Sequence, residues 1–263
     1  MSMHVVTLLE NTACSQELSC EHGLSLYIEA ADLKILFDAG QSGAFADNAQ
    51  KLGVDLSKVD IAILSHGHYD HGGGLARFLE LNVTAPVYVH KDAFIPHYNG
   101  SEKYIGLDQA LLNSGRLVFV EDTVQLAPGI TLYGGSIPLP YPIDPAGLTM
   151  LEKGQYLPED FRHEQYLIIE EMGKKVCFSG CSHRGILNIA GHFCPDVLVG
   201  GFHFMNLTAE KDALRLTAAA RKLLEYPTVY YTGHCTGAAA FDFMKPIMGD
   251  RLNALTTGTV MEI

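Results

Sequence analysis

The sequence predicts an α/β fold in which two packed β-sheets are covered by helices on their outer faces. Apolar segments come first in hairpins and later alternate with helical segments, which is the order expected of sheets flanked by helices. Of the 263 residues, 48% are hydrophobic and 18% are charged, so the chain can bury a large core. Because no linker or low-complexity segment divides it, we expect residues 1–263 to form a single domain.

The elements are predicted in chain order from hydrophobic periodicity and turn residues. Strands are predicted at 4–10, 24–30, 33–38, 61–64, 86–90, 117–120, 130–133, 166–170, 175–179, 197–202, 229–232 and 259–263. Helices are predicted at 44–52, 75–81, 185–192, 208–226 and 238–248. The helix at 208–226 is the clearest, because Thr208 can serve as its N-cap and Glu210 and Asp212 lie in its first turn.

Two segments have no clear periodicity. Residues 91–115 are mixed in composition, and we interpret them as an insertion. Residues 137–162 contain five prolines and two tyrosines and are too long for an ordinary connection. We expect a lid or specificity loop at 138–162.

The stretch Ser65–Gly74, with the sequence SHGHYDHGGG, carries the strongest functional pattern. His66, His68, Asp70 and His71 follow directly on the buried strand at 61–64, and imidazoles with a carboxylate are ligands for zinc, iron or manganese. Glycines disfavour a helix within the motif. They would let the backbone fold around an ion through positive φ. An exposed histidine-rich loop is the alternative, but a buried strand does not usually precede such a loop.

Histidines also follow three other predicted strands. They are His183, His203 and His234, and each comes soon after an apolar segment that ends in glycine or polar residues. A strand end buried in a core would favour apolar residues instead. Together with His66, these positions predict one shared site at the edge where the strands end.

Net charge, the lack of long apolar segments and the cysteine spacing limit the partners and the cellular compartment that we expect. The formal net charge of −12 argues against nucleic acid, since phosphate backbones are bound by Lys and Arg. The sequence has no signal-peptide pattern and no apolar segment of membrane-spanning length, so we expect a cytoplasmic protein without a membrane partner. The six cysteines form no compact framework, and we expect free thiols.

The pattern H-x-H-x-D-H at residues 66–71 resembles the signature of the metallo-β-lactamase superfamily. A closer likeness, to a branch containing small metal-dependent hydrolases and dihydropterin-type synthases, is carried by the segments 21–25 (EHGLS), 180–183 (GCSH), 200–203 (GGFH) and 233–237 (GHCTG). The resemblance implies a four-layer αβ/βα sandwich of two mixed sheets with its site at one edge. Asp38 matches the first superfamily motif, and we expect it to orient the metal loop by accepting hydrogen bonds.

The resemblance also implies two divalent metal ions, zinc foremost, with iron or manganese as alternatives. His66 and His68 would hold the first ion, and the second would be held by Asp70, His71 and His234. For the third ligand of the first ion we prefer His183, because it lies in the Gly-Cys-Ser-His segment typical of the closer branch. His163, which precedes a strand as in many superfamily members, remains the alternative.

Cys181 lies where most superfamily members have an aspartate that bridges the two metals. A thiolate at this position can ligate or bridge and would favour zinc over manganese. A buried core thiol is the alternative interpretation. The missing carboxylate leaves occupancy of the second site open.

This site implies a hydrolase that activates water on a small ester, lactone or phosphoester, which we expect to be anionic or phosphorylated. Asp70 would accept the proton from water, and His203 would donate one or contact substrate, unless it is a structural histidine. A transferase joining a dihydropterin diphosphate to an aminobenzene ribotide is the alternative. An iron redox enzyme is a third hypothesis. A non-catalytic sensor is a fourth, and the intact ligand set argues against it. The sequence does not predict the oligomeric state.

Overall fold

The structure is a computed structural model that describes residues 2–134 and 137–263. Its strands are β1 His4–Leu9, β2 Ser25–Ala30, β3 Leu33–Phe37, β4 Ile61–Ile63, β5 Val87–His90, β6 His97–Asn99, β7 Lys103–Tyr104, β8 Leu117–Val120, β9 Thr123–Ala127, β10 Ile130–Gly134, β11 Leu148–Glu152, β12 Gln155–Pro158, β13 Gln165–Glu171, β14 Lys174–Ser179, β15 Val197–Val199, β16 Val229–Thr232, β17 Leu252–Ala254 and β18 Val260–Glu262. Its α-helices are α1 Ala44–Lys51, α2 Tyr69–Gly72, α3 Leu75–Leu81, α4 Ile186–Phe193, α5 Ala209–Leu223 and α6 Ala238–Met248.

Two seven-stranded mixed sheets form the centre of the molecule, in the orders β18-β1-β2-β3-β4-β5-β8 and β17-β16-β15-β14-β13-β10-β9. In each sheet, antiparallel hairpins lead into parallel strands. In the first sheet β1, β2 and β3 are antiparallel while β3, β4, β5 and β8 are parallel. The second sheet repeats this arrangement from β13 through β17. The prediction of an α/β sandwich of mixed sheets flanked by helices is confirmed.

Side chains that alternate along the strands bury both faces of each sheet. Leu26 and Ile28 of β2 point between the two sheets, whereas Tyr27 points to the outer face. In β13, Leu167 also faces the other sheet, and Ile168 faces the helices. Because both faces are apolar, each sheet needs a covering layer of helix, and this requirement produces the four layers.

The helices pack on the two outer faces with their apolar sides inward. Phe45 of α1 and Phe78 of α3 are fully buried against the first sheet. Ile189 of α4, Leu216 of α5 and Met244 of α6 are fully buried against the second. Among the described helices, none combines the length and apolar character that a bilayer crossing requires.

The prediction that the metal motif contains no helix is wrong, because Tyr69–Gly72 forms one helical turn. The amides of Gly72 and Gly73 donate to the carbonyls of His68 and Tyr69, at 3.0 and 2.7 Å. The glycines are needed for space rather than for positive φ. Gly73 has φ −63°, and a Cβ there would lie 2.3 Å from the carbonyl oxygen of Gln41. A Cβ on Gly67 would lie 2.2 Å from the carbonyl oxygen of Ala93.

The two segments of unclear periodicity pair with each other. They contribute the four strands of a third sheet, in the order β12-β11-β6-β7, where Met150 lies opposite His97. The lid at 138–162 and the single domain at 1–263 stay predictions. The strands β9 and β17 differ from the prediction, which has no strand at either place. β17 has only three residues, too few to show a period, whereas the alternation of Val124 and Leu126 in β9 was an available signal.

Asn48 of α1 ties the irregular segment 10–24 to the first sheet. Its fully buried amide donates to the carbonyls of Leu8 and Ser19, both at 2.8 Å, and accepts from the amide of Ser19 at 2.9 Å. This segment carries Asn11 and His22 to the edge of the sheets.

We expect Asn48→Leu to lower the free energy of unfolding by about 3 kcal/mol, because backbone groups of the segment lose buried hydrogen-bond partners. Urea denaturation followed by circular dichroism measures the loss. Gln50→Leu, at an exposed position of the same helix, is the matched control and should change stability little. Equal stabilities of the two variants would contradict this role for Asn48.

Candidate metal centre

The candidate site lies where strands of both sheets end. The strands β4, β14, β15 and β16 run into segments that carry His66, Cys181 with His183, His203 and His234 respectively. Neighbouring parallel strands end at the same edge of a sheet, and the packing of the two sheets brings both edges together. The shared site predicted from histidines after strands is therefore present as a spatial cluster.

His66, His68 and His183 form the first group of candidate ligands. The ring centroid of His66 lies 4.6 Å from that of His68 and 4.9 Å from that of His183, and the last two are also 4.9 Å apart. All three rings are buried. Nε2 of His66 and His68 and both ring nitrogens of His183 lack a hydrogen-bond partner among the described residues. Buried polar atoms without a partner are costly, and a metal ion would satisfy them.

Asp70, His71, Cys181 and His234 form the second group, with one ligand atom of each within 4.8 Å of all the others. Nε2 of His71 lies 3.2 Å from Sγ of Cys181 and 3.2 Å from Nε2 of His234. Oδ2 of Asp70 lies 3.2 Å from Nε2 of His234. Carboxylate, imidazole and thiol atoms crowded in this way are the donor set of a zinc site.

Hydrogen bonds fix the tautomers of the ligand histidines. Nδ1 of His71 lies 2.6 Å from the Asp38 carboxylate, and Nδ1 of His234 lies 2.9 Å from the amide oxygen of Asn11. Since both partners are acceptors, each Nδ1 carries the proton, and each Nε2 presents a lone pair. Two such lone pairs 3.2 Å apart repel each other unless a proton or a metal cation lies between them. The second group therefore fits a cation.

For four of the imidazoles the electrostatics agree with this interpretation, whereas the raised pKa of His71 favours a proton on its Nε2 unless a cation is bound there. Burial lowers the pKa of His66, His68 and His183, so their rings are neutral and present lone pairs near pH 7. Burial also lowers the pKa of His234, to about 4. For His71 burial acts in the same direction, but the carboxylates of Asp38 and Asp70 outweigh it and raise the pKa.

Asp38 organises the metal loop, as its motif predicts. One carboxylate oxygen accepts from the backbone amide of Ser65 at 2.7 Å, and the other accepts from the Ser65 hydroxyl at 2.7 Å. That hydroxyl lies 2.8 Å from Nδ1 of His66 and has given its own proton to Asp38, so it accepts from the ring. Asp38 thus sets the tautomer of His66 through Ser65, and that of His71 directly.

His163, which the sequence left open as the third ligand, lies near the first group, with its ring centroid 5.4 Å from that of His68 and 6.0 Å from that of His66. Its Nδ1 accepts from the amide of Gly67 at 2.8 Å, which places the proton of the neutral ring on Nε2. That nitrogen lies 3.4 Å from the carboxylate of Glu159, whose other oxygen is 2.7 Å from Nδ1 of His97. The bond from Gly67 therefore disfavours His163 as a ligand, although its Nε2 also lacks a hydrogen-bond partner among the described residues. The structure places His183 beside His66 and His68.

The group formed by His97, Glu159 and His163 was missed from the sequence. The ring centroids of His97 and of His163 each lie 5.4 Å from that of His68. Glu159 and His97 belong to the two segments that pair in the third sheet, and no local pattern connects them. Together with His68 they could also hold a cation by distance alone. The proton on Nε2 of His163 argues against that interpretation.

Two further histidines border the candidate ligands, His22 beside the second group and His203 beside the first. Nε2 of His22 lies 3.3 Å from the Asp70 carboxylate, and its ring centroid is 4.6 Å from that of His234. His203 is half-buried, and its ring lies 4.3 Å from that of His183. His22 was not predicted as a site residue, although the Glu-His-Gly segment around it was the available signal.

Cys235 does not join the four atoms of the second group. Its thiol donates to the carbonyl of Cys181 at 3.3 Å, which directs it toward the neighbouring loop. Cys181 itself is buried, and this burial raises the pKa of its thiol. A bound cation reverses this effect, because a coordinating thiol is deprotonated.

A cavity of about 290 Å³ opens above both groups. It is lined by the candidate ligands His68, Asp70, His183 and His234 and by Lys103. Other lining residues include His22, Tyr69, Asn99, Ile105, Leu148, Cys181, His203, Met205 and Asn206. The cavity gives a small molecule access to the candidate ligands.

At saturating zinc, we expect His183→Ala to lose about one metal ion per chain, because the first group falls to two imidazoles. His163→Ala is the matched control and should retain its full complement, since Nε2 of His163 carries a proton. Mass spectrometry of the dialysed proteins measures the metal. A loss in His163→Ala with full retention in His183→Ala would reverse the assignment.

Comparison with known proteins agrees with the fold and the cluster. Residues 18–234 match the family described as the Metallo-beta-lactamase superfamily. An uncharacterised protein of Methanocaldococcus jannaschii is 31% identical over 210 residues, which cover 76% of this chain and 79% of the relative. A protein of the same organism, named 7,8-dihydropterin-6-methyl-4-(beta-D-ribofuranosyl)-aminobenzene-5'-phosphate synthase, is 28% identical over 287 residues, covering 99% of this chain and 97% of that protein.

A solved structure of the same superfamily has a similar fold. The crystal structure of a metal-dependent hydrolase of the beta-lactamase superfamily aligns with a TM-score of 0.83 and 28% identity, covering 99% of each chain. The matched family region spans every candidate ligand from His66 to His234. The chain belongs to the metallo-β-lactamase superfamily of metal-dependent enzymes.

Proposed function

We propose that this protein is a metal-dependent hydrolase that cleaves a small ester, lactone or phosphoester with an activated water molecule. The observation that carries this proposal is that two groups of candidate ligands adjoin one open cavity: the rings of His66, His68 and His183, and the atoms of Asp70, His71, Cys181 and His234. The thiol of Cys181 also lies within 4.8 Å of ligand atoms of His66 and His183, so it is close to both groups. His66, His68 and His183 would hold one divalent ion, and Asp70, His71, Cys181 and His234 a second. When bound, such ions supply Lewis acidity and lower the pKa of water from ~15.7 to about 7.

Asp70 is suited to accept the proton of the attacking water. Burial opposes ionisation of its carboxyl, but His71, His22 and His234 outweigh this and hold its pKa well below the usual range. The carboxylate is therefore ionised at neutral pH. Its side chain retains 11% exposure and lines the cavity, so water can reach it.

His203 is suited to contact the substrate or its leaving group. Burial lowers the pKa of its imidazole, so the ring is neutral at pH 7 and has one donor and one acceptor. It also lies at the cavity wall, beside His183. A neutral imidazole there can donate a hydrogen bond to the oxygen that leaves.

The cavity favours a small anionic substrate. Lys103 lies at its wall, with Nζ 5.8 Å from the centroid of the Tyr69 ring. Bound metal ions would add positive charge beside the cavity, and they dominate the local field even in a protein of net charge −12. That same overall charge supports the proposal that nucleic acid is not a partner.

We expect Asp70→Ala to lose one metal ion per chain and to lower kcat by at least about a hundredfold, since it removes a ligand and a proton acceptor. The protein reconstituted with zinc, iron or manganese is assayed with p-nitrophenyl esters, lactones and phosphodiesters. Asp242→Ala, an exposed carboxylate on α6, is the control. Full activity in Asp70→Ala, or wild-type turnover that survives chelation, would reject the proposal.

A synthase of the dihydropterin type is the second candidate. It is supported by the relative that carries this name and aligns with 99% of the chain. The bound ions would then assist departure of diphosphate rather than activate water.

Supplying a dihydropterin diphosphate with an aminobenzene ribotide distinguishes the two candidates. Diphosphate release that depends on both substrates, without turnover of simple esters, would favour the synthase. Ester or phosphodiester turnover without release of diphosphate would favour the hydrolase.

A further inference from the structure

We propose that a second cavity, adjoining the metal centre, binds an aromatic group of the substrate. The inference rests on the proposed function and names its substrate class: an ester or phosphoester that carries an aryl group on one side of the reacting bond. It is supported by the position of this cavity, its lining, and the wall that separates it from the candidate ligands.

The second cavity has a volume of about 590 Å³, twice that of the cavity above the ligands. It lies between the irregular segment 141–144, the start of α4 and one face of α5. This volume is typical of sites that enclose an organic ligand. It is large enough for a two-ring aromatic group.

The two cavities share a wall. His183 and His203 line both of them, and their ring centroids are 4.3 Å apart. A molecule in the second cavity therefore lies directly beside a candidate metal ligand. A substrate that spans both cavities would pass the imidazole of His203.

The lining is mainly apolar and aromatic. Tyr141, Ile143, Leu187, Phe202 and Phe204 supply side chains that are buried or half-buried. Aromatic walls favour aromatic ligands through edge-to-face and stacked contacts in addition to the burial of apolar area.

The charged residues at the cavity are already paired with opposite charges. Arg215 lies 3.8 Å from the carboxylate of Asp144, and Nζ of Lys222 lies 2.6 Å from that of Glu225. An occupant therefore meets apolar surface rather than a free charge, which favours an uncharged ring. The anionic or ester group would remain on the side of Lys103 and the ligands.

The dividing wall is held in a strained backbone conformation. His203 has φ +56° and Ser182 has φ +56°, a region that residues other than glycine seldom adopt. Ser182 is fixed by its hydroxyl, 2.7 Å from that of Ser179, and the amide of Gly201 donates to the Gly180 carbonyl at 2.8 Å. Strain retained against this background is typical of positions that serve function.

Binding of 2-naphthylmethylphosphonate and methylphosphonate to the metal-loaded protein tests the proposal, because neither compound can be hydrolysed. Calorimetry should show that the naphthyl compound binds at least about tenfold more tightly, since its ring is removed from water. Ala218→Trp fills the second cavity from α5 and should abolish this difference. Leu214→Trp is the matched control at an exposed position (88%) of the same helix and should retain it.

A second variant keeps the test decisive if Ala218→Trp fails to fold. Phe204→Ala removes one aromatic wall and should reduce the naphthyl preference, while leaving methylphosphonate affinity unchanged. Equal affinities for the two phosphonates in the wild-type protein would overturn the inference, as would an unchanged preference in both Ala218→Trp and Phe204→Ala. Naphthyl-selective binding without any hydrolytic turnover would instead reject the proposed function and leave the aromatic site standing.

Discussion

The candidate metal centre depends on the buried carboxylate of Asp38. A buried charge is costly unless it is fully hydrogen-bonded, and Asp38 meets this requirement with the amide and hydroxyl of Ser65 and with Nδ1 of His71. The same bonds orient the loop and place the protons on the nitrogens that face away from the centre. One structural requirement, the satisfaction of a buried anion, therefore produces imidazoles whose lone pairs converge.

Close backbone packing lets the two sheets share this centre. Gly67 approaches the carbonyl of Ala93, and Gly73 approaches that of Gln41, so the motif fits between neighbouring loops. On the opposite side, Glu10 accepts from the amides of His234 and Thr12. Contacts from both ends of the chain thus hold the segments that carry the candidate ligands, and such preorganisation limits the entropy lost on binding.

Different parts of the chain form the different sides of the candidate metal centre. The third sheet supplies His97, and Glu159 follows its strand β12, so that both lie near His68. Lys103 of the same sheet lines the cavity beside the ligands. The segment after β15 and the helix α5 form the apolar cavity on the other side of His203. The protein is acidic overall, yet the region that would meet a substrate contains lysine, imidazoles and apolar surface. The overall charge and the local chemistry of this region therefore differ in sign, and the proposed small anionic substrate depends on the local chemistry.

Local patterns are sufficient to predict several elements of the fold. The apolar run at 61–64, the histidines and aspartate after it, and the helices at 75–81 and 238–248 depend on neighbouring residues, and periodicity reveals them. The single helical turn at Tyr69–Gly72 was not predicted, because glycine has a low helix propensity. Glycine is needed there because a larger side chain would clash with neighbouring atoms, and helix propensity does not include such clashes. Three-dimensional packing, in contrast, places His183 beside His66 and His68, brings His163 to Glu159, and pairs two segments without a clear period as a third sheet. Those outcomes depend on hydrogen bonds between residues distant in the chain, and composition and spacing do not predict such contacts.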